Sequence, residues 1–169
     1  MHRLSKYFES HPRRGSGRQP LEHMIIHFGG EFQVKKTAEE VYAFLTDPER
    51  FCPLLPDFQG MKKEDGKHFI VTLRVGISHI RGNAALRMAL EEAEPSRHAL
   101  YSGKGEVPGG SVTMKASFDL AADSGGTKVL WKGEAQIAGR LPSLAGGLLE
   151  PLAKKNLQKL IDALQAALA

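Results

Sequence analysis

The segment that most constrains this chain is its end. Apolar residues fall at Leu149, Leu152, Leu157, Leu160, Ile161, Leu164 and Leu168, while Lys154, Lys155, Gln158, Lys159, Asp162 and Gln165 take the other side. Steps of three and four residues place the apolar set on one helical stripe. Such a stripe must be laid on something, and what precedes it reads almost entirely as strands. At about 1.5 Å per residue, residues 152–169 span roughly 27 Å, enough to cross several strands. A straight rod cannot stay in contact with a twisted sheet along its whole length. The space between them is where a binding function is expected.

The strands are read from alternation. Ile26, Phe28, Gly30, Phe32 and Val34 alternate with His27, Gly29, Glu31 and Gln33. Thr37-Ala38-Glu39-Glu40 then forms a capping box, Val41, Phe44 and Leu45 form an apolar stripe, and Asp47-Pro48 ends that short helix. A second short helix or tight loop fits between Glu49 and Pro56. The alternation resumes at Phe69, Val71, Leu73, Val75 and Ile77, preceded by the turn Glu64-Asp65-Gly66-Lys67, which implies a weaker strand near 59–63. Further alternating runs cover 80–91, 98–107, 112–120 and 128–137, separated by Glu94-Pro95-Ser96, Pro108-Gly109-Gly110 and Asp123-Ser124-Gly125-Gly126. Gly103 and Gly105 suggest a bend or bulge in the run 98–107. Short turns make neighbours antiparallel, and strands segregated from helices mean α+β. The expected architecture is a curved antiparallel sheet of about seven strands, two short helices after the first, and a long C-terminal helix gripped by the sheet.

Charge does not point to nucleic acid. The net +4 lies mostly in residues 1–23, where Arg3, Lys6, Arg13, Arg14 and Arg18 face only Glu9 and Glu22. That stretch reads as a disordered basic tail, with the folded domain at 24–169 and Met24 as a candidate natural start. It lacks the apolar stretch of a secretory or twin-arginine signal. No run of about 18 apolar residues exists to span a bilayer. The single cysteine, Cys52, allows no intrachain disulfide and fits a reducing cytoplasm.

Several local motifs carry a family resemblance. They are Thr46-Asp47-Pro48-Glu49 with Leu55-Pro56, Arg74-Val75-Gly76-Ile77 with Ile80-Arg81-Gly82, and Gly139-Arg140-Leu141 leading into the closing helix. In this order and spacing, from about Ile26 to Leu168, the chain resembles the CoxG family, named for carbon monoxide dehydrogenase, a branch of the helix-grip, START-like superfamily. The resemblance implies a non-enzymatic accessory factor associated with molybdenum hydroxylases. It implies a hydrophobic ligand, lipid or quinone-like, in the helix-grip cavity, and attachment of the partner enzyme to the inner face of the cytoplasmic membrane. The chain departs from that pattern where Gly146-Gly147 and Pro151 interrupt the closing helix. Glycine costs about 1 kcal/mol and proline about 3 kcal/mol in a helix interior, so the regular helix is expected from about Glu150. Residues 141–149 then read as a flexible lid, or as leucines packed into the domain.

Chemistry-bearing motifs are missing: the sequence has no P-loop, GxGxxG, HExxH or CxxC, so no cofactor or metal is expected. His79 and His98 fall on separate strands, Cys52 lies between Phe51 and Pro53, and Glu91, Glu92 and Glu94 read as a solvated edge. The inner sheet face supplies candidate cavity-lining residues Leu73, Met88, Tyr101, Met114, Phe118 and Trp131, joined by Leu148, Leu149 and Leu152 from the closing segment. Arg140, Leu141, Leu144, Lys154 and Lys155 are the candidate membrane or partner contacts. Two other readings remain open at this point. One is a cyclase or hydratase of the same superfamily, for which Tyr101 is the only inward titratable candidate. The other is a ligand-free protein-interaction module.

Overall fold

The computed structural model describes residues 5–12, 22–77 and 79–169, with the backbone alone at 5–12, 22, 144 and 146. Eight antiparallel strands form one curved sheet: β1 (Ser5–Pro12), β2 (Glu22–Val34), β3 (Phe58–Lys63), β4 (His68–Ile77), β5 (Ile80–Glu94), β6 (His98–Val107), β7 (Gly110–Asp123) and β8 (Gly126–Gly139). Their spatial order is β1-β2-β8-β7-β6-β5-β4-β3. Strands β3 to β8 are a meander, and β2 returns to pair with β8 over its full length, from Glu22 opposite Gly139 to Val34 opposite Thr127.

The helices lie where the sequence places them. α1 (Ala38–Leu45) starts at Thr37, whose side chain accepts from the Glu40 N–H while the Glu40 carboxylate accepts from the Thr37 N–H. α2 (Pro48–Phe51) starts at Asp47, which accepts from the Glu49 N–H, and a 3-10 turn, Cys52–Leu54, follows. The closing segment is broken as its glycines and proline suggest. α3 (Leu141–Ala145) and a 3-10 turn (Gly146–Leu148) precede α4 (Leu149–Ala167). Residues 141–149 are thus helical turns.

Two expectations are corrected. Ser5–Pro12 pairs with β2 instead of trailing off, because the backbone donors and acceptors along that edge of β2 accept a further strand. Residues 1–4 and 13–21, the remainder of the expected tail up to Leu21, lie outside the described residues. The bulge expected at Gly103 and Gly105 sits in the neighbouring strand, where the register shifts between Leu90 and Glu92. Gly103 serves close packing: a Cβ there would run into the Met88 thioether and come within 3.0 Å of Met114 Cγ.

The buried apolar residues divide into two clusters. The larger joins α1 (Val41, Phe44, Leu45), the far end of α4 (Ile161, Leu164) and the Leu168 that follows it to the sheet through Phe69, Val71, Met88, Tyr101 and Phe118. The smaller joins α3 and the start of α4 (Leu141, Ala145, Leu149) to Met24, Ile26 and Ile77.

Candidate functional site

The closing segment is fastened at both ends. At its start the Arg140 and Leu141 N–H groups donate to the Gly109 carbonyl at 2.8 and 2.7 Å. This needs the sharp exit from β8 at Gly139, which has φ +104° and no room for a Cβ beside Gly110 Cα at 2.8 Å. At its finish the Lys36 N–H donates to the Leu168 carbonyl at 3.3 Å, and Thr127 Oγ1 donates to the Lys36 carbonyl at 2.7 Å.

Between those ends the packing loosens. On the inward stripe of α4, Leu152, Leu157 and Leu160 are only half-buried. Leu152 rests on the smaller cluster and Leu160 on the larger, while Leu157 belongs to neither. The sheet opposite shows the same pattern. Leu73, Val112, Met114 and Trp131 border the larger cluster, and Phe28, Val75 and Ile137 border the smaller, all half-buried. Registers place them on the face shared with the buried core, with Phe118 opposite Trp131 and Val112 opposite Ile137. Apolar side chains that face a helix yet remain half-exposed border space that protein atoms do not fill. The candidate site is this band between the two clusters.

The candidate residues separate accordingly. Leu73, Met114, Trp131 and Leu152 fall in the band. Met88, Tyr101 and Phe118 are buried in the larger cluster and Leu149 in the smaller. Leu148 and Leu141 are the reverse of expectation in their burial. Leu148 is 52% exposed and lines no interior wall, because the 3-10 turn rotates it outward. Leu141 is 4% exposed, held inward by its bond to Gly109, and offers no surface to a membrane. Arg140 and Lys155 are exposed, Lys154 is half-buried, and the Leu144 side chain lies outside the described residues. Val112, Phe28 and Leu157 were not among the candidates. Their parity was legible, but where a straight helix parts from a curved sheet was not.

Trp131 holds the band's unusual polar atom. Its indole Nε1 is buried and finds no hydrogen-bond partner among the described residues. Buried tryptophan N–H groups usually find one, and leaving a donor unpaired costs about 1–3 kcal/mol.

The titratable groups favour packing over catalysis. The Tyr101 hydroxyl donates to the Leu45 carbonyl at 2.9 Å, and its ring packs on Phe51 and Phe69 at 5.8 and 6.0 Å between centroids. Burial raises the pKa of that phenol. Burial first, and the nearby Asp47 second, push the Cys52 thiol up to about 12. On the outer sheet face His98 is held by Glu92 and by Asp119, each at 2.9 Å, and those contacts raise its pKa. Arg87 grips Glu64 with two hydrogen bonds at 2.8 and 2.7 Å beside an open depression of about 510 Å³ on the same face. No three metal-ligating side chains converge among the described residues. No helix among them is long and apolar enough to cross a membrane.

Residues 30–169 match the family model for the G subunit of carbon monoxide dehydrogenase (CoxG). No curated protein matches the chain. Among solved structures it resembles a conserved protein from Geobacillus kaustophilus, 20% identical at a TM-score of 0.74, covering 84% of this chain and 94% of that one. It also resembles a protein from Rhizobium leguminosarum, 12% identical at 0.61, covering 99% and 97%. The Zhui aromatase/cyclase from Streptomyces sp. R1128 is 16% identical at 0.62, covering 85% and 93%. At such identities the likeness shows the fold, which is the helix-grip arrangement.

Proposed function

The chain belongs to the carbon monoxide dehydrogenase CoxG family, and on that premise we propose that it is a non-catalytic accessory protein that carries a hydrophobic small molecule, lipid or quinone-like, between its sheet and α4. In this reading it helps couple a molybdenum-hydroxylase-type enzyme to the membrane. The observation that carries the reading is the divided core. α4 is sealed at both ends and bordered by half-buried apolar side chains in the middle. A helix evolved only to close a core gains from burying its whole stripe, at about 25 cal/mol per Å² of apolar surface.

The membrane side of the proposal rests on a small surface. Leu148 is exposed, and so are Arg140 before it in the chain and Pro151 and Lys155 after it. An apolar tip flanked by basic residues suits an anionic bilayer surface, where each cation contributes about 1 kcal/mol. The cyclase reading draws on the Zhui aromatase/cyclase, which shares the fold. It finds little support in Tyr101, whose hydroxyl is tied to the backbone of α1.

Native mass spectrometry of the protein purified from its own host, with organic extraction of the same sample, tests the carrier reading. A one-to-one complex with an extractable apolar molecule is expected. A bare chain that also fails to take up added quinone or lipid would refute it.

A further inference from the structure

The carrier reading leaves the ligand's chemistry open, and Trp131 narrows it. The indole is a donor with no acceptor capacity. Its Nε1 is buried without a partner, while the rest of the side chain is half-exposed in the apolar band. The inner sheet face beside it is shallow. Gly30 stands directly across on β2, and Gly133, two residues along β8, stands opposite Ala116 of β7. Ala135 continues that floor. A Cβ at Gly133 would meet nothing nearer than the Lys115 carbonyl at 3.7 Å, so room lies on that side of a ring whose one polar atom is unsatisfied, while Phe118 stands opposite the ring on β7. A pure hydrocarbon in this space would leave the N–H as it is. A ligand with an oxygen acceptor would satisfy it once the indole turns toward the band.

We infer that Trp131 is the specificity-determining donor of the site, and that it selects an apolar ligand bearing a carbonyl-type oxygen held by Trp131 Nε1–H. This rests on the carrier reading and adds to it a chemical class and a contact atom. A ring carbonyl and a lipid ester carbonyl share that chemistry.

Trp131 is the only tryptophan in the sequence, so a ¹⁵N-labelled sample gives one indole cross-peak. Three probes are titrated: a decyl-substituted 1,4-naphthoquinone, the decylnaphthalene of the same skeleton without oxygens, and a decyl-chain fatty ester. Leucine methyl resonances report binding independently. The inference expects the indole proton to move downfield with at least one oxygen-bearing probe and not with the hydrocarbon. Which of the two oxygen-bearing probes moves it identifies the source of the carbonyl. It also expects the preferred probe to bind about fivefold tighter than the hydrocarbon, the worth of one neutral hydrogen bond. Trp131→Phe should abolish that preference.

Methyl shifts without any indole shift, or a Trp131→Phe protein that still prefers the carbonyl, would overturn the assignment and leave the carrier reading standing. No methyl shift with any probe would overturn both. The indole measurement uses the unaltered chain and stands even if the variant fails to fold.

Discussion

Cys52 and His98 show how two reactive residue types become structural ones. Cys52 is fully buried in the larger cluster, and its thiol is pushed up to about 12, so almost none of it is thiolate at neutral pH. Native protein is expected to resist iodoacetamide at pH 8 and to be alkylated completely in denaturant. Rapid native labelling would contradict this burial. His98 bridges Glu92 and Asp119 across three strands and has a pKa raised above its ordinary 6.5. The folded state therefore binds a proton more tightly than the unfolded state. The stabilisation is fully present below about pH 6.5 and is lost as pH rises through the folded-state value. Unfolding midpoints measured from pH 5.5 to 9 should fall across that window in the native sequence and flatten in His98→Gln. The sequence placed Cys52 in an apolar setting from its neighbours. It could not place Glu92 and Asp119 on either side of His98, because that contact follows from the β5–β6–β7 register and the shift between Leu90 and Glu92.

The closing segment carries the clearest contrast between elements. Leu141 and Leu148 are seven positions apart in similar local sequence, yet one is buried in the smaller cluster and the other is exposed. Leu141→Ala should cost about 2–5 kcal/mol in urea unfolding. Leu148→Ala should stay within about 0.5 kcal/mol. Leu148→Asp should instead reduce co-flotation with anionic vesicles without lowering the melting temperature. Gly139→Ala would place a side chain at φ +104° against Gly110 and should cost about 1–3 kcal/mol, because that bend sends α3 onto Gly109. The break before α4 was legible, since Gly146, Gly147 and Pro151 disfavour a helix interior. The inward turn of Leu141 was not, because it depends on a hydrogen bond to Gly109, more than thirty residues away in sequence.

Over the whole molecule, local periodicity carried most of the fold: the alternation of β2 and β4 to β8, the capping box of α1 and the stripe of α4 each appear at or near their expected place. Strand β1 was missed because its pairing is set by the open edge of β2 rather than by a pattern of its own. The site was half legible. Parity identified the inner face, and only the three-dimensional parting of helix from sheet separates residues in the core, such as Phe118 and Met88, from those of the band, such as Trp131 and Leu157. The central claim is that this band is a binding space. It is tested most directly by titrating the protein with an alkyl naphthoquinone while following the fluorescence of its single tryptophan, beside a Leu157→Phe variant that fills the band. The account predicts saturable one-to-one quenching in the native sequence and its loss in the variant, with the melting temperature of the variant maintained. Quenching that does not saturate, or equal binding by the filled variant, would contradict it.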